Sequence, residues 1–173
     1  MPTQLGTFIG RHVYNNKLKT VHPDKGPCCH FVNVKKSKEI SIGSSWINIA
    51  EVSAAITEAR KCNARGQSYR IITPYDAQRG KLETALHAAK LPWEDKVFCV
   101  DSFQGNEDDY IIISIVRTEK IGFLAEQRRV NVMLSRCKKG MRICTSRAFV
   151  EGNAKDSLVG LLAKSLGPGA WAG

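Results

Sequence analysis

Residues 97–142 read VFCVDSFQGNEDDYIIISIVRTEKIGFLAEQRRVNVMLSRCKKGMR. Two short apolar runs rich in Val and Ile, Val97 to Val100 and Tyr110 to Val116, predict buried strands. The polar loop between them holds Gly105 and four carboxylates, Asp101, Glu107, Asp108 and Asp109. A loop between two buried strands is where backbone is free to meet a ligand. From Glu126 to Cys137 the period changes: Val130, Met133, Leu134 and Cys137 follow at i, i+3, i+4 and i+7, which predicts a helix with one apolar face. Arg129 and Arg136, seven apart, would share another face about 10.5 Å apart along the axis. Arg128 and Arg129 lie in the first two turns, where the helix dipole disfavours cations. Propensity does not account for them, and an anionic partner would.

Outward from this stretch, His30 to Val34 predicts a strand, followed by a basic turn of Lys35, Lys36 and Lys38. Asn48, with Glu51 three residues later, has the spacing of a capping box. The helix it opens carries Ile49, Val52, Ile56 and Ala59 as its stripe and ends at Gly66. Tyr69 to Thr73 predicts a buried strand that Pro74 stops. Asp76 then caps a helix with Leu82, Ala85, Leu86 and Ala89, ending before Pro92. Met141 to Thr145 is a further strand, and Asp156 to Leu166 an amphipathic helix. Residues 1 to 26 show no sustained period beyond a short helix around Leu5 to Tyr14, and the closing GPGAWAG is expected to fray. Strands alternating with helices predict an α/β fold, a mostly parallel sheet with helices on both faces. The crossover from Val100 to Tyr110 is short for a parallel pair, so an antiparallel step there stays open.

A formal net charge of +10 and a pI near 9.5 attract polyanions, of which nucleic acid is the commonest large one. An acidic membrane surface would suit the charge too, but no basic amphipathic helix or lipidation signal accompanies it. The six cysteines lack CxxC spacing, and no signal peptide or long apolar span is visible. These features point to a reducing, intracellular compartment, cytoplasmic or nuclear, with no membrane partner. His22, Cys28, Cys29 and His30 come close enough in sequence to weigh as a metal site, yet adjacent cysteines do not easily both reach one tetrahedral zinc, so no metal site is expected.

In the order FQGxExD, buried strand, VR, then RRxNVxLSR, residues 97–142 resemble motifs V and VI of superfamily 1 helicases of the nonsense-mediated-decay and Sen-type branch. Upstream, Ile72 to Gln78 reads ITPYDAQ and resembles motif IV of the same family, written ITPYxxQ. The opening MPTQLGTFIG resembles the residues just after motif III. A match over this many spacings is far more specific than a lone glycine-rich loop. The resemblance implies the second RecA-like lobe of such a helicase, a P-loop NTPase fold lacking its own P-loop. Residues 1–30 would be a partly irregular segment following motif III, 31–166 the RecA-like helicase C-terminal domain, and 167–173 a flexible tail. ATP with Mg²⁺ would be shared with the N-terminal RecA-like lobe, and single-stranded RNA or DNA would lie across both lobes. By the resemblance Arg129 is the arginine finger, Arg128 its nearest rival, and Arg136 with Gln104 links nucleotide state to lobe closure. Gly105 and Glu107 would lie against the nucleotide, and Thr73, Pro74, Tyr75, Gln78, Asp101 and Ser102 on the nucleic-acid side. Two departures are visible: Ser135-Arg136-Cys137 stands where the family often has TRA, and residues 106–109 lack the basic residue common after the glycine. No GxxxxGK[ST] occurs in the chain, so by itself it is not expected to hydrolyse ATP.

Other readings remain open at this level. The alternative is a degenerate helicase-like lobe that binds nucleic acid or protein without catalysis. Asp101, Glu107 and Asp109 are a conceivable Mg²⁺ set for a nuclease, though without the lysine such sites use. The basic charge would also simply keep a globular protein soluble.

Overall fold

The structure, a computed structural model, describes residues 1–15 and 26–172. Eight strands are present among them, β1 (Cys29–Asn33), β2 (Ile40–Ile42), β3 (Ser45–Ile47), β4 (Tyr69–Thr73), β5 (Val97–Cys99), β6 (Asp108–Ser114), β7 (Cys137–Thr145) and β8 (Trp171–Ala172). Six α-helices accompany them, α1 (Thr3–His12), α2 (Ile49–Ala64), α3 (Asp76–Ala88), α4 (Gln127–Leu134), α5 (Arg147–Glu151) and α6 (Leu158–Leu166). Six strands form one sheet in the order β5-β4-β6-β7-β1-β8, every neighbouring pair parallel. The fold is α/β, as the alternation of elements predicts.

Successive residues of a strand point to opposite faces, and the two cores follow that period. Ile111 and Ile113 of β6 join Met141 and Ile143 of β7 beneath α1, α4, α5 and α6. Ile112 and Cys144 face the other way, with Tyr69 and Ile71, into the stripes of α2 and α3. The antiparallel step left open between Val100 and Tyr110 is not taken. β5 and β6 lie on either side of β4, both parallel to it, and a 3-10 turn at Asp101–Phe103 begins the passage between them. β5 is only three residues long, so little chain is needed for the return.

A buried polar hub fixes the carboxyl end of β6. Asn48 caps α2 by accepting from the Glu51 amide at 3.2 Å. The Glu51 Oε1 accepts from Ser114 Oγ at 2.8 Å and from the Val116 amide at 2.8 Å, while Oε2 accepts from Asn48 Nδ2 at 3.2 Å. Gln78 donates to the Asn48 carbonyl and to Ser114 Oγ, both at 3.0 Å, and accepts from the Asn48 amide at 3.0 Å. With no opposite charge beside it, burial pushes the Glu51 carboxyl up from 4.5 to about 8, against the pull of the Val116 amide and the Ser114 hydroxyl. The hub holds Val116 at φ +74°, a backbone conformation that a β-branched residue rarely adopts. Arg117 donates its amide to the Ile115 carbonyl at 2.9 Å, closing a strained three-residue turn around Val116.

Several local expectations change. α4 stops at Leu134, and Cys137 begins β7 opposite Asp108, so Arg129 and Arg136 do not share a helical face. A buried cysteine suits either period, and strand pairing takes it. Tyr75, not Asp76, is the N-cap residue of α3, and Asp76 binds Arg79 Nε at 2.9 Å instead of capping. Ile49, counted in the α2 stripe, is 50% exposed as the first residue of the helix. Within the closing residues expected to fray, Trp171 and Ala172 are drawn into the sheet. They pair with Phe31 and Val32 as β8, because the Trp171 indole stacks on Phe31 at 4.7 Å and covers the sheet edge. The β2–β3 hairpin and α5 carry no periodic signal long enough to read beforehand. His22, of the weighed metal cluster, lies outside the described residues. Gln4 Oε1 accepts from the amides of Cys28 and Cys29. Burial pushes the Cys29 thiol well above its ordinary value.

Candidate functional site

Arg129 sits in the first turn of α4, and its side chain reaches back to the turn after β5. Its Nε and Nη2 donate to the two Asp101 oxygens at 2.9 and 2.6 Å, a side-on bidentate pair. Its Nη1 donates to Glu126 Oε2 at 2.6 Å, and the guanidinium lies over the Phe123 ring at 4.6 Å. Asp101, then Glu126, hold the Arg129 pKa above its ordinary value. The two carboxylates answer the repulsion between this cation and the helix dipole, and the side chain stays 40% exposed. Arg128, one residue earlier, is exposed and makes no ion pair among the described residues.

The segment from Asp101 to Glu107 meets α4 at Arg129 and the turn after α4 at Arg136. Phe103 anchors it in the core, tilted against Phe98 at 5.1 Å. Ser102 Oγ caps the Cys99 carbonyl at 2.9 Å, and Gln104, Gly105 and Glu107 are exposed. Gly105 has φ +84°, and a Cβ built there would meet nothing within 4 Å. Its glycine answers a backbone requirement, and the space beside it is open. Arg136 binds Ser135 Oγ through Nη2 at 2.8 Å and reaches the Asn106 carbonyl at 3.5 Å. Thus Arg129, from α4, holds the beginning of the segment, and Arg136, from the turn between α4 and β7, reaches its far end.

At the carboxyl end of β4, Thr73 is fully buried and its Oγ1 has no hydrogen-bond partner among the described residues. Gln78 is also fully buried, with both ends of its amide spent in the hub, so it does not reach a ligand surface. That corrects its place on the nucleic-acid side: an amide sealed beneath α2 and β6 positions, and does not touch. Pro74 and Tyr75 are half-buried, and Tyr75 Oη accepts from the Phe123 amide at 3.1 Å. This bond joins the β4–α3 turn to the segment carrying Phe123 and Glu126.

Several members of this neighbourhood are not marked as site residues by the sequence. Glu126 stands three residues before Arg129 and was legible by spacing; Phe123 was not. Arg117 Nε donates to Glu39 Oε2 at 2.9 Å in a pair whose side chains are 8% and 4% exposed, and its guanidinium stacks on Trp46 at 3.9 Å. Burial would raise the Glu39 carboxyl, but the Thr118 and Glu119 amides and then Arg117 bring it below its ordinary value. The carboxylates weighed for a nuclease are dispersed: Asp101 on Arg129, Glu107 3.7 Å from Lys138, Asp109 3.5 Å from Lys139. Among the described residues no group of three or more His, Cys, Asp or Glu is placed to hold a metal ion.

Comparisons with known proteins agree on one kind of domain. A family model described as an AAA domain matches residues 1–148. Regulator of nonsense transcripts 1 of Dictyostelium discoideum is 39% identical over 137 residues, covering 72% of this chain and 10% of that protein. The ATP-dependent helicase upf1 of Schizosaccharomyces pombe is 33% identical over 149 residues, covering 77% of this chain and 15% of that protein. An uncharacterized ATP-dependent helicase of Methanocaldococcus jannaschii is 37% identical over 113 residues, covering 63% of this chain and 16% of that protein. The chain thus spans between a tenth and a sixth of these relatives' length. Among solved structures, the C-terminal domain of a possible DNA helicase from Lactobacillus plantarum shares the fold, with a TM-score of 0.61 at 15% identity, over 98% of this chain and 94% of that one. No helix among the described residues is long and apolar enough to cross a membrane.

Proposed function

Because this chain belongs to the AAA domain family, as a C-terminal RecA-like lobe of the superfamily 1 helicase type, we propose that it is the second motor lobe of an ATP-dependent RNA or DNA helicase and supplies the arginine finger. The single observation that carries the reading is that Arg129, on α4, and the open turn leading to Gly105 lie against each other through Asp101. A planar, permanently charged guanidinium at that rim is suited to the negative charge that builds on a γ-phosphate during transfer. Gln104, Gly105 and Glu107 would lie along the nucleotide, with Glu107 accepting from ribose hydroxyls. Pro74, Tyr75, Asp101 and Ser102 would face the single strand, contacting phosphate and sugar and so reading no sequence. Thr73 and Gln78 would act from behind this surface by shaping it. The P-loop and the ligands of the Mg²⁺ that accompanies ATP would come from the N-terminal lobe. The lobes closing on ATP and opening after hydrolysis would move the grip along the strand.

The test is ATP turnover by a protein carrying both lobes, stimulated by single-stranded RNA. Arg129→Ala should lower kcat about a thousandfold, the effect expected of a finger residue. Arg128→Ala should lower it far less, and RNA affinity without ATP should hold in both. Unchanged turnover in both variants refutes the finger and leaves a non-catalytic binding lobe.

A further inference from the structure

We propose that Asp101 is the resting counter-ion of Arg129, competing with phosphate for the same guanidinium edge, so that arrival of a nucleotide phosphate expels the Asp101 carboxylate and reports occupancy to the turn at residues 101–104. The inference rests on the reading of Arg129 as a phosphate ligand and adds how that site is regulated.

Three observations carry it. First, all three guanidinium nitrogens of Arg129 are engaged, Nε and Nη2 by Asp101 and Nη1 by Glu126, and the ring of Phe123 covers one face. A phosphate seeking the two-pronged edge finds it taken by a carboxylate, which has the same bidentate geometry. Second, one cation with two carboxylates has a net charge of −1, so the resting cluster repels the anion it would serve. Third, the pair is built to exchange. Arg129 is 40% and Asp101 65% exposed, so water is at hand to solvate a released carboxylate. Among the described residues Asp101 is held otherwise only by its own turn, whose backbone bonds are 3.2 and 3.3 Å long. The next turn residue, Ser102, and Asp101 itself are those proposed to face the nucleic acid. Releasing Asp101 from Arg129 uncovers a negative charge there, which would loosen a phosphate backbone at the moment a nucleotide binds. Asp101 is therefore a positioning residue that acts through Arg129.

The experiment is calorimetric titration of this chain with sodium tripolyphosphate at low salt, for the wild type, Asp101→Asn, Arg129→Ala and the double variant. Freeing the guanidinium edge from a competing, solvent-exposed carboxylate should tighten binding about fivefold in Asp101→Asn. Arg129→Ala and the double variant should bind equally weakly, because the gain passes through Arg129. In parallel, amide NMR shifts at Ser102 to Gly105 should move on adding tripolyphosphate to the wild type and not to Arg129→Ala. Arg129→Lys, which keeps the charge and loses the fork, guards against misfolding of the alanine variant and should bind more weakly than the wild type. An equal gain from Asp101→Asn with Arg129 absent, or no gain at all, overturns the proposal. The finger is judged separately by turnover: lost turnover in Arg129→Ala without an Asp101 effect keeps the finger and ends the counter-ion, and the opposite pair of results does the reverse.

Discussion

Replacing Glu51 by glutamine should flatten the pH dependence of stability across the neutral range. In the fold this carboxyl is pushed from 4.5 to about 8 because it is fully buried without a cation, and in the unfolded chain it titrates normally. Between those values the folded state holds a proton that the unfolded state has released. Stability from this group is therefore complete below pH 4.5 and is lost as pH rises through 8, the reverse of a salt-bridged carboxylate. At about 1.4 kcal/mol for each pKa unit the total is about 5 kcal/mol, with a slope of about −1.4 kcal/mol per pH unit from pH 5 to pH 8. That is a large share of the roughly 5–15 kcal/mol that holds a domain together. Glutamine keeps the acceptor for Ser114 and Val116 but turns a donor toward Asn48 Nδ2, a pH-independent penalty of about 1–2 kcal/mol. The His30 imidazole, pushed down by burial and then by Arg142, loses stability as pH falls, as does Glu39. Both persist in the variant and cancel in the comparison. The assay is urea unfolding of wild type and Glu51→Gln at half-unit intervals from pH 5 to pH 8.5. Parallel curves would mean that three donors already hold the carboxylate ionised, and the reasoning from burial would fail.

Gln78→Leu should destabilise the chain by about 2–4 kcal/mol by stranding the Asn48 backbone and Ser114; thermal melts check this, and a loss of RNA affinity at unchanged stability would return Gln78 to the binding surface. Glu39→Gln should cost about 3–5 kcal/mol at pH 7, because Arg117 remains buried against Trp46 without its counter-charge. The penalty should shrink as pH falls through the depressed Glu39 value, where the wild type loses the same charge, and denaturant midpoints at pH 3.5 and 7 measure it. Trp171→Ala should remove the stack on Phe31 and cost about 2 kcal/mol. Hydrogen exchange should then quicken at the β1 amides while those of β6 hold their protection.

Residues 97–142 carried their own fold class because the signals are local: short Val and Ile runs mean buried strands, and the 3.6-residue period of Val130, Met133 and Leu134 means a helix, whatever lies beyond. The Asn48–Glu51 spacing likewise announced the start of α2. Local spacing also misled at Cys137, where strand and helix periods both accept a buried thiol and pairing with Asp108 chose between them. Motif order placed Arg129 and Gly105 near one another, and no spacing revealed that Asp101, 28 residues upstream, would occupy the guanidinium. Gln78 reads as a polar residue of a surface motif and is instead sealed beneath two elements. Arg117 finds Glu39 across 78 residues, and Trp171 closes the edge beside Phe31. Period, capping and turn chemistry act over a few neighbouring residues and so are written in the chain. Which charges meet, and which polar groups lose water, depends on how distant segments pack, and only the folded arrangement supplies that.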